Sequence, residues 1–481
     1  MTSLTRIRQL PSGLLLRRAV CALLAALLLC AMSAAVDRGI RMVHILPLLF
    51  LVGCSLFLWL KEDAAGTPVK GSAPSGAISG SRPVPKRDLR LDYLRLLAVV
   101  GVITIHAIDA LFPFLTTEVT GEFAVIRDAM NPSAMKADAL IRTCCLGFNI
   151  VYIMLSGALL LPWKEERLRD FYLKRVSKVL LPLLIYFFFY QWQNGQLFPL
   201  SLQRVGDIFR MFFTADIDYC PFYWLIYIII SLYLIYPFMR YMIKDLPYGA
   251  LTVLAAGIIL FSGTVAYTSF VFAPVIGFWL GYAILGYWIT RPESRRFDRF
   301  LLPMGILQAG VIARMIWTSE RYEDYIGRIV QYTPIMVFLV LGYFSFVYLL
   351  PRKLLRDTSL LRFFGRYSFS VILIHWWALY FILGRYYPHL APGNSAVSAP
   401  LRLFWNAFAS GGIFNSLYLL IQSMLGTHAG LVYLILADVV LSLAAGALLE
   451  AYFLKAPLAL WDRIVNCIVR KLPLRESRNN N

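Results

Sequence analysis

Charge is what this chain has least of. Asp, Glu, Lys and Arg make up 15% of its 481 residues, against about 25% in a soluble protein. Hydrophobic residues make up 59%, above the roughly 45–50% of an ordinary soluble domain. A single water-facing globule is therefore excluded. Cysteine is also sparse. The seven residues (Cys21, Cys30, Cys54, Cys144, Cys145, Cys220 and Cys467) are odd in number and scattered, mostly in or beside apolar segments. Their spacing fits neither a disulfide framework nor a zinc site, so they read as small apolar fillers. There is no internal repeat, no Gly-rich phosphate loop, no His-Glu-x-x-His and no nucleophile elbow. The familiar soluble ATPase, zinc-protease and α/β-hydrolase signatures are thus missing.

What is present is a series of apolar runs of about 17–22 residues, the length that crosses a bilayer as helix. Short charged loops separate them. The formal charge of +19 could indicate nucleic acid, but its distribution says otherwise. Lys+Arg against Asp+Glu is 6 to 3 in Pro162–Lys178, 4 to 2 in Thr290–Phe300 and 5 to 1 in Pro351–Arg366. The intervening loops read 3 to 4 in Pro113–Cys145, 2 to 3 in Gln196–Pro221 and 2 to 3 in Thr318–Gln331. Alternation of this kind is the positive-inside pattern. It places the basic loops in the cytoplasm, names the lipid bilayer as a partner and leaves no role for nucleic acid.

The expected fold is all-α: a polytopic transmembrane helical bundle of about ten core helices plus an N-terminal hairpin. Residues 1–60 hold the apolar runs Ala19–Val36 and Val43–Leu60. They read as two uncleaved helices, or as a signal peptide cut near Ser33-Ala34-Ala35 followed by one helix. Residues 61–89 form a linker rich in Gly, Ser, Ala and Pro, from which no core can be built. The main domain spans 90–455, and 456–481 is a basic cytoplasmic tail. Within the domain, core helices are expected near Leu94–Phe112, Leu146–Leu161, Lys178–Gln193, Phe222–Met242, Ala250–Val265, Val271–Ile289, Leu301–Trp317, Tyr332–Leu350, Ser368–Tyr387 and Leu431–Phe453. The apolar pieces Leu401–Phe408 and Phe414–Leu425 are short for a crossing and suggest an interfacial or re-entrant segment.

Ionisable residues inside apolar runs carry the functional argument, because they are costly at membrane depth and usually have a purpose. Arg95 and His106 are eleven residues apart, which brings them within roughly 20° of one helix face and about 16 Å apart along the axis. Asp92 and Asp109 extend the stripe by one turn at each end. Arg95 reads as a snorkelling anchor at the cytoplasmic end or as part of a site. His106, expected near mid-depth, has the weaker structural explanation, and an imidazole can take a proton from a hydroxyl near neutral pH. Asp109 could orient that ring or lie in outer-loop solvent. Lys174, Arg175 and Lys178 cluster at the next basic loop, as positive-inside decoration or as a phosphate-binding mouth. His375, in Gly365–Trp377 with Ser368 on its face, reads as a packed structural histidine or a second functional one. Ser156-Gly157 is explained by close helix contact alone.

These residues resemble the acyltransferase 3 family of integral-membrane acyltransferases. The resemblance rests on Asp92, Arg95 and His106, then Tyr152–Leu160 with Ser156-Gly157, then Phe171–Pro182. Tyr223–Arg240 and Gly365–His375 follow in the family's order. It covers about Arg90 to Phe453, and its overall character is nearest the branch holding the enterobacterial common antigen O-acetyltransferase. Two departures stand out: Asn149 where many members carry Asp before Ser-Gly, and the additional N-terminal hairpin and linker. The resemblance implies an O-acyltransferase of the bacterial cytoplasmic (inner) membrane. It would move an acyl group, usually acetyl, from acyl-CoA (acetyl-CoA as donor substrate, with no permanently bound cofactor and no metal) to a hydroxyl of a cell-envelope glycan or lipid-linked sugar. Arg95, Lys174, Arg175 and Lys178 would meet donor phosphates. His106 would act as base or transient acyl carrier, with Asp92, Arg95 and His375 completing the catalytic set. On physical grounds alone, a transporter or flippase of envelope polysaccharide precursors uses the same materials.

Overall fold

The computed structural model describes residues 87–115, 131–193, 201–214, 220–257, 274–318, 336–384 and 412–463, apart from 165, 167, 256, 352 and 462. The expected hairpin, nearly all of the linker and most of the basic tail lie outside these residues, as do His44, His389 and Leu401–Phe408. Among the described residues there is no strand. The chain is an all-α helical membrane bundle.

In chain order the helices are α1 (Leu89–Leu111), α2 (Pro132–Leu160), α3 (Leu168–Arg175), α4 (Leu181–Gln193), α5 (Leu202–Phe213), α6 (Trp224–Ile243), α7 (Pro274–Thr290), α8 (Asp298–Thr318), α9 (Met336–Leu349), α10 (Ser359–Ile382), α11 (Gly412–Leu425) and α12 (Thr427–Leu449). Residues 248–255 are helical as well. Among the described residues, five stretches are long and apolar enough to cross a membrane: Leu89–Leu111, Pro132–Leu160, Trp224–Ile243, Pro292–Thr318 and Thr427–Trp461.

The starts of the site-bearing helices follow from local chemistry. Asp88 accepts from the Arg90 N–H at 3.0 Å and caps α1. Thr358 accepts from the Leu361 N–H at 3.1 Å and caps α10. Asn131 accepts from the Ser133 N–H at 2.8 Å, with Pro132 in the first turn of α2 where its missing N–H costs nothing. Between α3 and α4 the backbone widens into one π turn, Val176–Leu180, closed by the Leu181 N–H on the Val176 carbonyl. Pro182 explains it: the ring has no N–H for the Lys178 carbonyl and crowds that turn.

Several elements differ from expectation. α2 begins at Pro132 rather than Leu146, because its charged residues are paired inside the bundle instead of lying in a loop. α10 begins at Ser359 rather than Ser368, its Arg362 and Arg366 standing on the outside of the helix. α5 was expected as loop; it is amphipathic, burying Ile208 and Phe212 while Leu202 and Phe213 stay exposed.

Packing is closest where glycine removes the side chain. α2 and α7 run antiparallel so tightly that a Cβ on Gly157 would stand 1.9 Å from the Ala283 carbonyl oxygen, and one on Gly286 2.0 Å from that of Met154. Ser156 donates to the Ile153 carbonyl at 2.8 Å, so the 2.6 Å contact with Tyr236 is the phenol donating to Ser156. The Ser156-Gly157 pair therefore joins α2 to both α6 and α7.

Candidate active site

α1 and α10 are the frame. His106 lies five residues before the end of α1, and His375 seven before the end of α10. His106 is thus slightly nearer the end of α1 remote from the basic loops than to the middle of that helix, while His375 is nearer the middle of α10 than its end. α1 begins five residues before the expected Leu94, so more of the helix lies on the basic-loop side of His106.

The two imidazole rings are neighbours, with centroids 5.2 Å apart and planes tilted by 36°. Trp376 stands edge-on to His106 at 5.2 Å. Phe222, from the turn Pro221–Tyr223 that precedes α6, lies 4.9 Å from His375 and 5.6 Å from Trp376. Two polar rings are thus enclosed by two apolar ones in a region closed to bulk water on the His375 side, where that residue is 0% exposed.

The His375 tautomer follows from its surroundings. Nδ1 is 2.7 Å from the Ile372 carbonyl. A carbonyl only accepts, so Nδ1 carries the proton and neutral Nε2 keeps its lone pair. Nε2 is buried and has no hydrogen-bond partner among the described residues. An unpaired buried acceptor is expensive to keep, and here it belongs to a group suited to moving protons.

Asp109 does not orient the His106 ring. It accepts from Arg142 of α2 through Nε and through Nη2, the latter at 3.1 Å. This forked pair lies one turn beyond His106, and the Arg142 charge reaches the imidazole. Arg142 is 7% exposed, and its Nη1 is buried with no hydrogen-bond partner among the described residues. Arg142 falls within Pro113–Cys145, a loop by its charge pattern. The signal available was an arginine four residues before a long apolar run, opposite an acid one turn past a membrane histidine.

At the other end of α1, Asp92 accepts from Arg87 Nε at 2.5 Å and from Arg95 Nη1 at 3.1 Å. Arg87 also reaches Asp357 at 3.4 Å, tying the start of α1 to the loop before α10. Asp92 and Arg95 are therefore not brought to the histidines; about 16 Å of helix separates Arg95 from His106. Arg95 instead shares surroundings with Arg175, since both charges act on Tyr233 of α6. The Arg175 guanidinium lies over Phe171 at 4.8 Å and Tyr233 at 5.7 Å. Lys174 donates to Glu166 at 2.6 Å, and Lys178 is exposed on the π turn. The site therefore has two parts: a cationic end formed by α1, α3 and α6, and a histidine pocket about three helical turns away along α1.

The described residues thus place a cationic cluster toward one end of α1 and a pair of neighbouring imidazoles toward the other, within an all-α membrane bundle. A family model for an acyltransferase domain, acyltransferase 3, matches residues 88–414. The chain belongs to that family and is a membrane acyltransferase. No curated protein and no solved structure matches it.

Proposed function

We propose that this protein is an O-acyltransferase that moves an acyl group, acetyl foremost, from cytoplasmic acyl-CoA to a hydroxyl of a cell-envelope glycan or lipid-linked sugar. The observation that carries this reading is the juxtaposition of His106 and His375, centroids 5.2 Å apart, with one nitrogen of His375 held as an unpaired acceptor. The inner membrane of a bacterium is the location that fits a cytoplasmic donor and an envelope acceptor.

Donor phosphates would rest on Arg95, Lys174, Arg175 and Lys178. The roughly 16 Å from Arg95 to His106 is on the scale of a pantetheine arm, so the thioester would reach the histidine pocket from that end. The acceptor hydroxyl would give its proton to His106 as its oxygen bonds to the thioester carbonyl carbon. The tetrahedral intermediate would collapse by breaking the carbon–sulfur bond, and the departing thiolate would take the proton back from the imidazolium. No net proton is gained or lost. His375 would assist through Nε2, accepting a hydrogen bond from the incoming hydroxyl or from protonated His106. Asp92 would act through Arg95, which it holds at 3.1 Å.

The test is donor-dependent labelling. Membranes carrying the protein, given acetyl-CoA labelled in the acetyl group, should place label in alkali-labile glycan. Movement of unmodified glycan across vesicles without label transfer would replace this reading with a transporter.

A further inference from the structure

Glu166 is surrounded by cations. It accepts from Lys174 Nζ at 2.6 Å and from Arg240 Nη1 at 3.3 Å. Arg240 is 4% exposed, its Nε is committed to the Leu160 carbonyl, and its Nη2 is buried with no hydrogen-bond partner among the described residues. Arg175 and Arg240 both lie over the Phe171 ring, at 4.8 and 4.9 Å, and Lys164 lies within electrostatic reach of all three other cations. Burial and the Arg240 charge, aided by Arg175 and Lys174, hold Lys164 below the usual lysine range against the opposing pull of Glu166. Lys164, Lys174 and Arg240 thus act on one described carboxylate, and Arg175 stands beside them over Phe171. A structural ion pair needs one cation per acid; this arrangement leaves positive charge and a buried N–H pair in surplus. That suits an anion with more oxygens and more charge than a carboxylate, which describes a phosphate group.

We propose that Lys164, Lys174, Arg175 and Arg240 form a phosphate-binding site for the acyl donor, and that Glu166 fills it as an internal anion until a donor phosphate displaces it. The proposal rests on the coenzyme A reading and adds two things to it: a buried arginine as the site's anchor, and an acid that competes with the ligand. Glu166 sets a threshold, so that weakly charged anions do not enter and a phosphate ester does. The carboxylate, 15% exposed, is near enough to water to leave the site.

The purified full chain in neutral detergent is titrated with adenosine 3′,5′-bisphosphate, the nucleotide part of coenzyme A, and with adenosine as control. Glu166→Gln should bind the bisphosphate roughly tenfold tighter, as removal of the competing carboxylate charge implies. Lys174→Gln, at an exposed position that tolerates substitution, should bind it roughly tenfold more weakly, and both differences should shrink at high salt. Adenosine should be indifferent to either change. Unchanged or weaker bisphosphate binding by Glu166→Gln, or none by any form, overturns the proposal. So does a Glu166→Gln gain seen only for anionic lipid in the micelle, which would make the occupant a lipid headgroup. Labelled transfer with an unaltered Glu166→Gln affinity removes the phosphate site alone. Bisphosphate binding that tightens in Glu166→Gln, in a protein that transfers no acyl group, keeps the site and removes the acyltransfer reading.

Discussion

Gly157→Ala tests the packing that positions α2. The new Cβ would stand 1.9 Å from the Ala283 oxygen, 2.6 Å from its carbonyl carbon and 2.8 Å from its Cα. All three are backbone atoms, so no rotamer change relieves the clash, and α2 and α7 must part by more than about 1 Å. A gap of that size forfeits a quarter to a half of each van der Waals well along the contact. The neighbouring Tyr236 to Ser156 hydrogen bond, at 2.6 Å, would be disturbed with it. Overpacking of this kind costs roughly 1–3 kcal/mol. Gly206→Ala is the control, since nothing lies within 4 Å of a Cβ there; on the helical α5 it should stabilise by up to about 1 kcal/mol. The two variants should melt roughly 1–5 °C apart when thermal loss of the monodisperse peak is followed in detergent by fluorescence-detected gel filtration. Equal melting would refute the close approach of α2 and α7.

His375→Asn keeps a donor for the Ile372 carbonyl but removes the Nε2 lone pair; transfer should fall about 10²–10⁴-fold with little change in melting, as a thiol-release assay will show. Combined with His106→Ala it should fall no further than the worse single variant, because groups acting on one proton are not additive, and a multiplicative loss would separate their roles. Asp109→Asn leaves Arg142 buried without its counter-charge and should destabilise by about 3–5 kcal/mol, recovered in part by adding Arg142→Met; an unaffected melt would show that the pair is solvated. Arg95→Ala should raise the KM for acetyl-CoA far more than it lowers kcat, and an unchanged KM would detach Arg95 from the donor.

The apolar runs made the bundle readable because lipid imposes one rule on backbone: helices of bilayer length, with basic loops on one side. That rule works from run length, and it fails where a helix continues through paired charges. α2 is the example. Lys136, Asp138 and Arg142 end the apolar run at Leu146, yet Lys136 donates to the Trp317 carbonyl at 2.8 Å, Asp138 meets His428 at 3.2 Å and Arg142 pairs with Asp109. No partner lies within eight residues in sequence, so the pairing is invisible until the fold is known. α5 escapes for a different reason. Its 3.6-residue periodicity lies within twelve residues beginning at the Ser201 cap, far short of a membrane run.

The candidate site was legible in part for the same physical reasons. Arg95 and His106 share a helix, so spacing alone relates them. His106 and His375 come from helices some 270 residues apart in sequence, and only the contact of α1 with α10 makes them neighbours. Trp376 and Phe222 complete the pocket as ordinary-looking aromatics, unmarked in a chain that is 15% aromatic. The Glu166–Arg240 link was equally hidden, because the arginine reads as the basic end of an aromatic helix until Leu160 and Phe171 are seen against it.

The most direct test of the account compares the wild-type chain with His106→Ala in membranes given acetyl-CoA labelled in the acetyl group, tracing label into alkali-labile polysaccharide with membrane insertion checked in parallel. The account predicts label with the wild type and its loss in the variant, at equal insertion. Glycan acetylation retained in His106→Ala would contradict it.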